Sequence, residues 1–170
     1  MGKKIVMVIA PGNFRDEELF HTKEVLANAG NEIKIASLTT DEVVGMLGGK
    51  AKPDMLLDEV KVEDFDAIVF VGGTGASTYF NNEKALQLAK NFYEANKVVA
   101  AICIAPSILA NAGILQGKNA TSWPSERDNI NAKGGNWQET NVVKDGRIVT
   151  ASGPQAAREF ANKILEALQE

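Results

Sequence analysis

Short apolar runs alternate with stretches of helical length along this chain. Residues 5–9, 67–71 and 98–102 are almost wholly apolar, which is typical of strands buried on both faces of a parallel sheet. Residues 33–38 alternate in polarity and predict another strand. Stretches between the runs, such as 82–95, are long enough for helices. This alternation predicts an α/β fold with a mostly parallel sheet and helices on both faces.

Local signals indicate where several elements begin and end. A helix predicted from residue 16 opens with an Asp-Glu-Glu cluster, which suits the positive end of the helix dipole, and stops before Gly30. Residues 39–66 are irregular and predict hairpin-like excursions. The Lys-Asp-Gly sequence inside residues 141–151 predicts a two-stranded turn, and a last helix is expected over 154–168. No repeat or linker divides the chain, so we expect a single domain over residues 1–170.

Composition excludes several classes of function. The 18 Lys and Arg and 22 Asp and Glu residues give a formal net charge of −4 with mixed sign along the chain, so we expect no nucleic-acid or membrane partner. One cysteine and one histidine exclude an internal disulfide and the usual zinc sites, and we expect no metal and no cofactor. The first apolar run is too short for a signal peptide or a membrane span. These features predict a cytoplasmic protein.

Cys103 directly follows the predicted strand 98–102, and a helix is expected to begin near Pro106. Ala101 and Ala105 flank the cysteine at two positions on either side, and such small residues are what a sharp strand-to-helix corner with a nucleophile requires. A helix N-terminus at this corner predicts a depressed pKa for the thiol. The alternative is that Cys103 is only a small buried apolar residue, and the corner alone does not decide between the two.

Glycines follow the predicted strand 67–71. Because ligands bind beyond the carboxyl ends of parallel strands, we expect the Gly-Gly-Thr-Gly segment 72–75 to lie near Cys103. The backbone amides of Gly73 and Ile104 are then candidates for an oxyanion hole. A nucleotide phosphate loop is disfavoured, because the spacing matches neither the dinucleotide-binding nor the Walker pattern.

Two more residues are candidates for the wall of a pocket around Cys103. Gly72 ends the strand next to the glycine that would supply an amide. Trp123 stands between a serine and a proline in a chain with only 6% aromatic residues. A core position is an equally good interpretation of this tryptophan.

Several short motifs occur together in the order and spacing of one protein family. They are the acid cluster 16–18 after a buried strand, Val-Gly-Gly at 71–73, Val-Ala-Ala-Ile-Cys at 99–103 with Pro106, the stretch 111–118, the turn 144–146 and Ser-Gly-Pro at 152–154. Each motif is weak alone, but the set is specific. Over nearly its whole length the chain resembles the ThiJ/PfpI superfamily, also called the DJ-one superfamily.

The resemblance implies a flavodoxin-like three-layer α/β sandwich that is usually dimeric and carries a reactive cysteine. Cys103 would be the nucleophile, and Glu18 would be the carboxyl that hydrogen-bonds it. Glu18 is preferred to the two preceding acids because of its distance from the helix stop at Gly30. A carboxyl held against a thiolate should be protonated, because two negative charges in contact repel.

The chain departs from the family pattern at two positions. Peptidase-like members have a histidine directly after the cysteine as its base, and Ile104 stands there instead. Trp123 occupies a second position that often carries histidine. The only histidine, His21, follows Glu18 by three residues, and its role stays open.

These residues leave three hypotheses for the function. The first is a glyoxalase- or deglycase-like enzyme in which Cys103 adds to a small reactive carbonyl and Glu18 moves a proton without a cofactor. The second is a non-catalytic redox-sensing or oxidative-stress protein that acts through oxidation of Cys103. The third is an intracellular cysteine peptidase, which the missing histidine disfavours. The resemblance implies a homodimer.

Overall fold

A seven-stranded sheet forms the centre of the protein in the computed structural model, which describes residues 2–170. The strands are β1 (Lys4–Val8), β2 (Glu32–Ser37), β3 (Val43–Val44), β4 (Lys50–Ala51), β5 (Met55–Leu56), β6 (Ala67–Phe70), β7 (Val98–Ile102), β8 (Asn119–Ala120), β9 (Asn136–Trp137), β10 (Val142–Asp145) and β11 (Ile148–Ala151). The helices are α1 (Asp16–Asn28), α2 (Glu83–Glu94), α3 (Pro106–Asn111), α4 (Arg127–Ala132) and α5 (Ala157–Leu168).

The central sheet is mostly parallel, as the sequence predicts. Its order is β10-β11-β7-β6-β1-β2-β5, and only the β10–β11 pair is antiparallel. The strand order reverses between β1 and β6, because the chain runs from β1 to β2 on one side and later returns to β6 on the other. Ligands of open α/β sheets bind at such a reversal, beyond the carboxyl ends of the strands.

Two apolar layers cover the sheet and confirm the predicted α/β sandwich. Along β1, Val6 and Val8 belong to one layer and Ile5 and Met7 to the other, which is the period of two that a strand requires. Helices α2 and α3 contribute to the first layer, and α1 and α5 contribute to the second. Burial on both faces explains why these strands read as continuous apolar runs.

The predicted elements agree with the structure except in the irregular segment. The helix expected from residue 16 is α1, and Gly30 follows it with a φ of 94°. The irregular segment holds the β3–β4 hairpin, but residues 60–62, where Val, Lys and Val alternate in polarity, form no strand. Instead the Lys97 ammonium donates to the carbonyls of Val62 and Phe65, each at 2.6 Å, which holds this backbone in a helical turn. No helix within residues 2–170 has the length and apolar character to cross a membrane.

Candidate active site

Cys103 lies at the carboxyl end of β7 in an unusual backbone conformation. Its φ is 66°, in the left-handed region that costs a non-glycine residue about 1–3 kcal/mol. Two hydrogen bonds hold the conformation: the Cys103 N–H donates to the Ala151 carbonyl at 2.9 Å, and the Cys103 carbonyl accepts from the Trp123 N–H at 2.8 Å. The half-buried thiol therefore leaves the sheet at a fixed corner.

Glu18 lies in the first turn of α1 and is fully buried. Its Oε1 accepts the Gly72 N–H at 2.9 Å, and its Oε2 has no hydrogen-bond partner within the described residues. The Cys103 side chain lies next to this carboxyl, since a Cβ at Gly72 would be 2.5 Å from both the Cys103 Cβ and the Glu18 Oε1. Burial raises the pKa of Glu18 to about 8, although the Gly72 N–H opposes the shift. The carboxyl is therefore protonated at neutral pH, as the sequence analysis expects.

The two glycines after β6 allow Glu18 and Cys103 to meet. A Cβ at Gly72 would lie 2.5 Å from both the Cys103 Cβ and the Glu18 Oε1. Gly73 has a φ of 101°, and a Cβ there would lie 2.4 Å from the Arg15 backbone nitrogen. No other residue type fits at either position without displacing the backbone or the reactive groups.

The prediction of a depressed thiol pKa is wrong in direction. Burial, followed by the charge that Glu18 carries when ionised, raises the pKa of Cys103 to about 12. Helix α3 has six residues, and a helix dipole stabilises a nearby charge by only about 0.3–1 kcal/mol. The backbone N–H groups of Gly73 and Ile104 lie beside the sulfur and oppose this rise of the pKa. These two amides are the ones that the sequence suggests for an oxyanion hole.

A cavity of about 310 Å³ opens above the cysteine. Its inner wall is defined by Gly73, Cys103 and Ile104, with Gly72 and Glu18 directly behind them. Its outer wall is formed by side chains from separate loops, namely Arg15, Met46, Thr74, Trp123, Pro154 and Gln155. A second cavity of about 410 Å³ shares Trp123 and Gln155 with the cysteine cavity, but Cys103 does not line it.

Comparison with known proteins decides the family. The chain matches the DJ-1/PfpI family over residues 3–167. It belongs to that family. A ThiJ/PfpI domain protein from Brachyspira murdochii has a crystal structure that superposes with a TM-score of 0.96 at 37% sequence identity, covering 99% of this chain and 97% of that one. The flavodoxin-like α/β fold implied by the resemblance is thereby confirmed.

Curated DJ-1/PfpI relatives are similar over most of their length. An uncharacterized protein of Methanocaldococcus jannaschii is 43% identical over 98% of this chain and 82% of its own. A deglycase of Pyrococcus horikoshii is 36% identical over 88% of this chain and 90% of its own. A glutathione-independent glyoxalase of Caenorhabditis elegans is 30% identical over 98% of this chain and 89% of its own.

Not all residues of this DJ-1/PfpI protein that the sequence suggests for the site line the cysteine cavity. Trp123 lines the cysteine cavity and is 45% exposed, whereas Gly72 lies behind it and does not line it. His21 lines a different cavity, together with Glu17. No three His, Cys, Asp or Glu side chains of residues 2–170 are grouped as metal ligands.

The acids that precede Glu18 have structural partners of their own. Asp16 accepts the backbone N–H groups of Leu47 and Gly49 at 2.9 and 2.7 Å, and so ties α1 to the β3–β4 hairpin. Glu17 pairs with Arg15 at 2.8 Å on the surface. Only Glu18 points toward the thiol, because each step of 100° along a helix places consecutive side chains on different faces.

Sequence reasoning missed most of the outer wall. Arg15 directly precedes the acid cluster, and Met46 lies at the tip of the β3–β4 hairpin. Gln155 lies in the turn before α5. For Arg15 a signal exists, because it adjoins a strand end that faces the site. Met46 and Gln155 have no sequence signal, since they reach the cavity only through long-range loop packing.

Proposed function

We propose that this DJ-1/PfpI protein converts small 2-oxo aldehydes into 2-hydroxy acids, with Cys103 as the nucleophile and Glu18 as the proton-transferring group. The observation that carries the proposal is the fully buried Glu18 carboxyl, protonated at neutral pH, within reach of the Cys103 thiol. The deglycase and glyoxalase names of its relatives support a small carbonyl substrate. The protein's own residues supply every group that the reaction needs, so no cofactor is part of the proposal.

Addition to the aldehyde is the first step. Because the pKa of Cys103 is about 12, the thiolate with the proton on Glu18 is a minor form of the site at neutral pH, and it is this form that reacts. Sγ forms a bond to the aldehyde carbon, and the carbonyl electrons move to its oxygen. The amides of Gly73 and Ile104, which lie beside the sulfur, are close enough to stabilise this oxyanion as well. Glu18 then donates its proton to the oxygen, which gives a hemithioacetal and a carboxylate.

Proton transfer between adjacent carbons is the second step. The Glu18 carboxylate removes the proton from the carbon that carries sulfur, and an enediolate forms. Return of this proton to the neighbouring carbon, with transfer of the hydroxyl proton to the neighbouring oxygen, gives a thioester of the 2-hydroxy acid. Water hydrolyses the thioester, so one dicarbonyl and one water give one hydroxy acid, and the thiol is regenerated. A general acid–base group of this kind contributes a rate factor of about 10²–10⁴.

Peptide hydrolysis is not part of this proposal. Cleaving an amide requires an acid that protonates the amine leaving group, and the residue after the nucleophile is Ile104 rather than histidine. Addition to an aldehyde expels no leaving group, so the absence of a histidine after Cys103 lowers its rate little.

The test is lactate formation from methylglyoxal in the presence of EDTA and without glutathione. Wild-type protein is expected to form lactate, and Cys103→Ser is expected to reduce the rate to that of the buffer. Equal rates for the two proteins would refute an enzymatic role and leave oxidation of the thiol as the function of Cys103.

We also propose that the protein is a homodimer, as the family resemblance implies, and that it is cytoplasmic, as its single cysteine and short first apolar run suggest. Exposed apolar side chains on the β3–β4 hairpin support a contact between copies: Val44 is 46% and Leu47 is 63% exposed. Light scattering should give the mass of a dimer for wild type and a lower mass for Leu47→Glu, and a monomeric wild type would contradict the proposal.

A further inference from the structure

Among residues 2–170, Arg15 is the one charged side chain on the walls of the cysteine cavity, apart from the thiol itself when ionised. Its backbone N–H donates to the Gly72 carbonyl at 2.9 Å, which fixes the residue beside the end of β6. Its side chain is 28% exposed, so the guanidinium is neither free in solvent nor fully buried. A permanent positive charge therefore faces the space that a substrate bound to Cys103 would occupy.

The guanidinium has hydrogen-bonding capacity left for a ligand. A guanidinium has five N–H donors, and Glu17 takes two of them: Nε donates to Oε1 at 2.8 Å and Nη2 donates to Oε2 at 3.1 Å. No other acceptor within residues 2–170 receives a hydrogen bond from this side chain. The bidentate pair holds the guanidinium plane in place, and the remaining donors can bind an anion.

The cavity is larger than a three-carbon dicarbonyl requires. Its volume is about 310 Å³, whereas a water molecule occupies roughly 30 Å³ in the liquid. If each carbon or oxygen atom of methylglyoxal is given the volume of one water molecule, the compound fills only about half of the cavity. Arg15 is one of the residues that line this cavity, together with the cysteine.

We propose that Arg15 makes the site selective for anionic carbonyl compounds, specifically 2-oxo aldehydes that carry a carboxylate on a short aliphatic chain. This rests on the proposed function for turnover, but anion selectivity at Cys103 does not depend on it. The carboxylate binds the free edge of the guanidinium, and the aldehyde carbon reaches the sulfur. The chemistry is unchanged: one dioxo acid and one water give one hydroxy diacid. Arg15 is here a specificity-determining residue and takes no part in bond making.

The first experiment uses two alkylating agents that differ in charge. Cys103 is the single cysteine, so alkylation reports on this site alone. Each reagent forms a carbon–sulfur bond and expels iodide, but iodoacetate is anionic and iodoacetamide is neutral. The ratio of the iodoacetate rate to the iodoacetamide rate is expected to fall about tenfold in Arg15→Gln, the effect of one lost charge-assisted hydrogen bond. Arg15→Lys should retain part of the ratio, and added salt should lower it in wild type.

Two controls bound the result. Arg158→Gln removes the same charge outside this cavity and should leave the ratio unchanged. Glu17→Gln removes the counter-charge and should raise the ratio. An equal ratio in wild type and Arg15→Gln, or an equal fall in Arg158→Gln, would overturn the proposal.

The second experiment compares turnover of 4,5-dioxopentanoate with that of methylglyoxal. In wild type, kcat/KM is expected to be about tenfold higher for the anionic compound, and Arg15→Gln should remove the preference mainly through KM. If wild type converts neither compound, the proposed function fails, and the alkylation ratio still decides the role of Arg15. If methylglyoxal is converted and the anionic compound is not preferred, the substrate proposal is wrong while the proposed function stands.

Discussion

The inner and outer walls of the cysteine cavity are built in different ways. The inner wall consists of strand ends and backbone groups: the left-handed Cys103, the glycine pair after β6, and the buried Glu18 behind them. The outer wall consists of side chains such as Arg15, Met46 and Trp123, which come from separate loops and stay partly exposed. Side chains at the two glycines of the inner wall would displace the backbone or the reactive groups, whereas the partly exposed side chains of the outer wall can change with little cost to the fold. We infer that the first performs the chemistry and the second selects the substrate.

The largest expected effect separates two neighbouring acids. Glu18→Gln keeps an oxygen that can accept the Gly72 N–H but removes the transferable proton, so kcat for methylglyoxal should fall about 10²–10⁴-fold. Glu17→Gln, the matched control, alters the partly exposed pair with Arg15 but removes no group that transfers a proton, so kcat for the neutral methylglyoxal should stay within about twofold. Steady-state lactate formation measures both. Similar losses in the two variants would mean that charge near the helix start matters, and not a specific contact.

The second prediction concerns stability, because the buried carboxyl makes folding depend on pH. The pKa of Glu18 is raised from 4.5 to about 8. The protonated carboxyl therefore makes its full contribution to the free energy of unfolding below about pH 4.5. As the pH rises from there to about 8, the unfolded chain releases this proton while the folded chain keeps it. The free energy of unfolding then falls by about 1.4 kcal/mol per pH unit, or about 5 kcal/mol over the 3.5 units.

Urea unfolding of wild type and Glu18→Gln at about pH 5 and about pH 8 measures this effect. The variant has no group to titrate, so its stability relative to wild type should rise with pH. The Glu17→Gln control should follow wild type in this range. A constant difference between Glu18→Gln and wild type would show that Glu18 has an ordinary pKa.

The sequence predicts residues of the inner wall better than residues of the outer wall. Cys103 and Gly73 are recognisable because strand ends and glycine pairs have local signals. The acid cluster at a helix start also has a local signal, but the choice of Glu18 came from the family resemblance. Met46 and Gln155 are not, since the packing of a hairpin and a turn against the sheet ends brings them to the cavity. The thiol pKa was mispredicted because burial depends on the whole fold and not on the corner.

The smallest expected effect belongs to the outer wall. Trp123→Ala removes an exposed side chain but keeps the backbone N–H that holds the Cys103 carbonyl. KM for methylglyoxal should rise by roughly threefold, as for the loss of a partly buried apolar contact, with kcat nearly unchanged. Tyr93→Ala, another partly exposed aromatic residue but outside this cavity, is the control. A fall in kcat as large as that of Glu18→Gln would erase the distinction between the walls.

The most direct test of the account is the protonation state of Glu18, observed by infrared difference spectroscopy between wild type and Glu18→Gln. The account predicts the carbonyl stretch of a protonated carboxyl at pH 7, present only in wild type and lost as the pH rises through about 8. A difference spectrum at pH 7 with only the bands of an ionised carboxylate would contradict it, because Glu18 would then have no proton to give to the bound carbonyl.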